Sequence, residues 1–113
     1  MYPPIEAYVA QTIGELMDKL GSMMLDSPKF VDTSGYFPKQ SLDTTFEGLT
    51  YSLDHLRKKL GERRYHKLVE LTGQMRAHFE ADPDDTTGEA WEGRRIINDM
   101  EDLLTGAVKL PES

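Results

Sequence analysis

The chain has no cysteine. That excludes a disulfide framework, a thiolate zinc site and a cysteine nucleophile. No run approaches the ~20 apolar residues that a membrane-spanning helix needs. The start, Met1-Tyr2-Pro3-Pro4-Ile5-Glu6, lacks the basic stretch and long apolar segment of a secretory signal, so a cytoplasmic protein is expected. No Gly-x-Ser-x-Gly elbow and no glycine-rich phosphate loop occurs. Asp54 and His55 are adjacent, so on a helix they diverge by ~100° and form no catalytic dyad. An enzyme is not expected, and neither is a cofactor.

What is present is amphipathic. Of 113 residues, 38% are apolar and 29% charged, enough of both for one helical domain with a core. Leu42, Phe46, Leu49, Leu53, Leu56 and Leu60 recur at alternating steps of three and four, then meet Gly61. This is a helical stripe with a glycine suited to a left-handed C-cap. The spacing predicts four helices, at about 4–25, 43–60, 62–80 and 87–104. Pro4 suits the first turn of the first helix. Gly14 and Gly21 within that helix suit close approach of a neighbouring one. Thr44 with Glu47, and Thr86 with Glu89, have the spacing of capping boxes. So short a turn at Gly61 makes the second and third helices an antiparallel hairpin. The expected fold is all-α: a four-helix antiparallel bundle in a single domain. A long ordered loop at 26–41 joins helices one and two, and the tail 105–113 is loose.

The formal charge is −7. Residues 1–40 contribute −2, residues 41–80 contribute +1 and residues 81–113 contribute −6. Acid is thus concentrated in the last third, which disfavours nucleic acid as a partner. Arg57, Lys58, Lys59, Arg63, Arg64 and Lys67 crowd the central turn. Those at the end of the second helix suit its dipole, but Arg63 and Arg64 begin the third and oppose it, so something must compensate.

Metal ligation has weak grounds. The acidic turn fails the EF-hand pattern, with Thr87 where glycine is required and Gly93 where glutamate is. His66 has Glu62 and Glu70 four residues to either side, which is a hydrated salt-bridged face unless other helices supply ligands. No metal is expected.

The remaining candidates suit protein binding. Tyr36 and Phe37 are aromatics on a loop, able to anchor a partner or plug the core. Asp84, Asp85, Glu89 and Glu92 surround Trp91, which falls at the margin of its helical stripe. It is either the centre of a charged-rim interface or a boundary residue over the hairpin. In size and composition the chain resembles small bacterial immunity proteins, although no motif assigns it to that family. The expected function is therefore a small acidic protein-binding module: an inhibitor or immunity protein that neutralises a basic partner such as a nuclease toxin. The alternative is a homodimeric helical assembly protein.

Overall fold

The computed structural model describes residues 9–27 and 41–106. Within them the regular structure is entirely helical, in five helices: α1 (Ile13–Asp26), α2 (Leu42–His55), α3 (Arg57–Leu60), α4 (Glu62–Ala81) and α5 (Glu89–Thr105). Of the expected ordered loop 26–41, residues 28–40, with Tyr36 and Phe37, lie outside the described residues, as does all of the tail beyond Gly106.

The first helix starts later than its proline predicts. Residues 9–12 are not helical, and Thr12 is the N-cap. Its Oγ1 accepts from Glu15 N (3.0 Å), while Glu15 Oε1 accepts from Gln11 N (2.7 Å). This reciprocal Thr–Glu arrangement outweighs the proline signal. Ala10 is fully buried, and its N–H donates to Ser52 Oγ at 2.7 Å, so the segment before α1 is pinned to α2.

The cap of α2 also sits upstream of the expected Thr44–Glu47 pair. Ser41 is the N-cap: its Oγ accepts from Thr44 N, and Thr44 Oγ1 accepts from Ser41 N. The expected 43–60 helix is interrupted at Leu56 (φ −94°, ψ 5°), which separates α2 from the single turn of α3. One turn before the break, the Ser52 hydroxyl donates to Gly48 O, a back-bond of the kind that bends helices. Gly61 then takes φ 83° and ψ 153°. Its positive φ needs glycine, but the conformation is extended rather than the left-handed helical cap expected.

Two cross-links show that α2 and α4 are antiparallel: Tyr65 with Asp54 near one end and Arg76 with Asp43 near the other. The helix α4 packs on α5, α2 and α3, and α1 packs on α5 and α2. Leu16, Leu20, Leu49, Leu68, Met75, Phe79, Ile97 and Met100 meet in the common core. Gly93 supplies the close approach, with the Phe79 ring seated against it. Gly14 and Gly21, where close approach was expected, face no tight neighbour.

Candidate protein-binding surface

The acidic turn between α4 and α5 is structural. Asp82 is buried, and its carboxylate caps α5 in place of the expected Thr86–Glu89 box. Oδ1 accepts from Thr86 N (2.7 Å) and Thr87 N (3.2 Å), and Oδ2 from Ala90 N (3.0 Å). Burial pushes this carboxyl up, but the three amide bonds outweigh it and hold it below the usual carboxylate range. Gly88, the residue at the cap, lies at φ 91°, and Asp85 at φ 57°.

The carboxylates expected to face a partner are largely engaged within the fold. Asp85 receives Arg94 (2.9 Å), whose Nε also donates to Ser27 Oγ (2.8 Å) at the C-cap of α1. Arg94 thereby supplies the positive charge that the last turn of α1 lacks. Glu89 meets His78 Nδ1 at 2.5 Å, linking α5 to α4. Glu92 pairs with Arg95 at 3.5 Å along α5. Asp84 is exposed.

Trp91 points outward and is 57% exposed, with the Arg95 guanidinium 5.5 Å from its ring centre. Arg95, Asn98 and Asp102 fall within about 40° of it on the helix, forming one exposed ridge. Asp99 flanks that ridge. Asp99 and Asp102 make no ion pair among the described residues, so they, rather than Asp85, Glu89 and Glu92, carry the uncompensated charge of this helix, about two and three turns along it from Trp91. Their i, i+3 spacing on an otherwise apolar-striped helix was the available signal.

At the central turn the dipole conflict resolves through Arg64. It turns back to the carbonyls of Leu60 (2.9 Å), Lys59 and Leu103, at the negative ends of α3 and α5. Arg57 forms a two-point bond to Glu62 (2.7 and 2.6 Å) and lies 4.3 Å over the Tyr65 ring. That bond holds the Glu62 carboxyl below its ordinary range. His66 approaches Glu62 at 3.6 Å, whereas Glu70 turns to Lys67 and Gln74. Among the described residues no three of His, Asp and Glu group as metal ligands.

A feature the sequence reading missed is an open groove of about 240 Å³ between α2 and α4. It is lined by Phe46, Thr50, Leu53, Val69, Thr72, Gly73 and Arg76. Its signal was Val69, an apolar residue off the α4 stripe and 42% exposed.

No helix of the described residues is long and apolar enough to cross a membrane. No family model matches the sequence, and no curated protein or solved structure matches the chain.

Proposed function

We propose that the chain is a small non-catalytic protein-binding module, built on an antiparallel four-helix bundle in which α2 and α3 act as one rod. Its specific form is a cytoplasmic inhibitor of immunity-protein type that neutralises a basic partner such as a toxin. The observation that carries the reading is the exposure of Trp91. Leaving most of an indole in water forgoes burial worth roughly 1.5–3 kcal/mol for a large apolar side chain. Exposed tryptophans with a charged rim are recurrent centres of binding energy. Asp99 and Asp102 supply the complement for a basic partner and would steer its approach.

Binding to the captured native partner tests this. Trp91→Ala should weaken it at least about tenfold. Reversal of Asp99 and Asp102 to lysine should slow association and flatten its salt dependence. Unchanged affinity in both variants overturns the reading. A second reading, self-association into a homodimer, draws on Leu25 of α1, which is 86% exposed. A sedimentation experiment showing a monomer at high concentration removes it.

A further inference from the structure

The two most exposed large apolar side chains among the described residues sit at one end of two neighbouring helices, α1 and α5. Leu25, 86% exposed, is two residues before Ser27, and Trp91, 57% exposed, is about one turn before Arg94. The Arg94 guanidinium ties the two places together by donating to Ser27 Oγ (2.8 Å) and to the Ser27 carbonyl (3.4 Å). Leu25 lies about 140–180° around α1 from the buried Leu16, Leu20 and Met23, so it points away from the core, as Trp91 does.

The two helices run antiparallel. Ala10 bonds to Ser52 in the last turn of α2, Asp54 bonds to Tyr65 at the start of α4, and Arg64 reaches the Leu103 carbonyl at the end of α5. These links set the start of α1 and the end of α5 at the Gly61 end, opposite the Arg94 clasp. From the clasp, both helices then show one pattern: an exposed apolar side chain first, and carboxylates farther along the same outward line. On α1, Asp18 is exposed, falls within about 20° of Leu25 and lies about 10 Å toward the Gly61 end. It makes no ion pair among the described residues, and the one basic residue of α1, Lys19, is buried. On α5, Asp99 and Asp102 lie about 12 and 16 Å from Trp91 in the same direction. Glu101 stands on the α1 side of that ridge, where burial and the neighbouring Asp102 push its carboxyl up.

We infer that Leu25 and Asp18 belong to the same interface as Trp91, so that a basic partner straddles the α1–α5 seam. Its apolar surface sits on Leu25 and Trp91, and its lysines or arginines meet Asp18, Asp99 and Asp102. The inference rests on the reading of Trp91 as a binding centre. Packed helices stand about 8–10 Å apart, so the whole pattern fits within a standard patch of about 800 Å² per partner. Charge complementarity selects the occupant. A second copy laid face to face about a two-fold axis would set carboxylates on carboxylates, or carboxylates on the apolar anchors, whichever way it is turned.

Photo-crosslinking of the full chain in its native host tests this. A photoreactive phenylalanine replaces Leu25 in one strain, Trp91 in a second and the exposed Tyr51 of α2 in a third. Positions 25 and 91 should give an adduct of the same mass, and position 51 none. Trp91→Ala should cut the position-25 adduct at least about tenfold, and Asp18→Lys at least about threefold. Asp18→Asn gives the second test if Asp18→Lys disturbs the helical circular dichroism. An adduct from position 91 with none from position 25 overturns the inference and leaves the Trp91 reading standing, whereas no adduct from either removes both. A position-25 adduct of the chain with itself assigns Leu25 to a second copy and overturns the inference. So does a position-25 adduct that either substitution leaves undiminished, or the same adduct from position 51.

Discussion

A Cβ at Gly93 would stand 2.7 Å from Phe79 Cε1, so the α4–α5 contact exists only because position 93 carries no side chain. The Phe79 ring is fully buried and has little room to withdraw. Gly93→Ala should destabilise by roughly 1–3 kcal/mol through overpacking, despite alanine's better helix propensity. Gly73→Ala is the control: the same change in open space should stabilise by about 0.5–1 kcal/mol. Urea denaturation of both variants checks the opposite signs.

The cap at Asp82 predicts an acid-dependent stability. Its folded carboxyl is held below the unfolded value by the three amide bonds. A depressed carboxylate contributes stability that is present above the unfolded value and lost as pH falls through the folded one. Asp82→Ala should therefore lower Tm by at least ~4 °C at pH 7, from loss of an N-terminal cap. The gap to wild type should close as pH drops below about 3.8, the ordinary value. Thermal melts from pH 7 to pH 2.5 provide the measurement.

Lys19 predicts a dependence at the other end of the scale. It is buried on the core side of α1, and burial lowers its ammonium to about 8 from 10.5. At neutral pH the folded state must hold a charge that it disfavours. That cost falls as pH rises from about 8 to 10.5, where the folded chain gives up its proton before the unfolded one. Wild-type stability should rise between about pH 8 and pH 10.5, and Lys19→Met should lack that rise, as followed by denaturant midpoints.

The helical stripes were readable because burial enforces them: Phe46, Leu49, Leu53, Leu56 and Leu60 are all in the core. Helix ends were less so, because competing caps differ by tenths of a kilocalorie per mole and tertiary contacts choose among them. Thr12 caps α1 through its reciprocal bonds with Glu15, and the segment before it is fixed by the bond from Ala10 to Ser52, a partner 42 residues away. Asp82 replaced the local Thr86–Glu89 box by reaching eight residues to Ala90. Charge was the least legible quantity. Counting by thirds placed the acid at 81–113, yet Asp85, Glu89 and Glu92 are paired with Arg94, His78 and Arg95. The near-neutral middle in turn has its carboxylates Asp43, Glu62, Glu70 and Glu80 paired with Arg76, Arg57 and Lys67, which a sum along the chain does not show because it carries no direction around a helix.

The most direct test of the protein-binding account is site-specific photo-crosslinking in the native host. A photoreactive phenylalanine replaces Trp91 in one strain and the exposed Lys59, at the far corner, in another. The account predicts one dominant adduct with a basic protein from position 91, diminished by lysine at Asp99 and Asp102, and none from position 59. No adduct from position 91, or the same adduct from both positions, contradicts it.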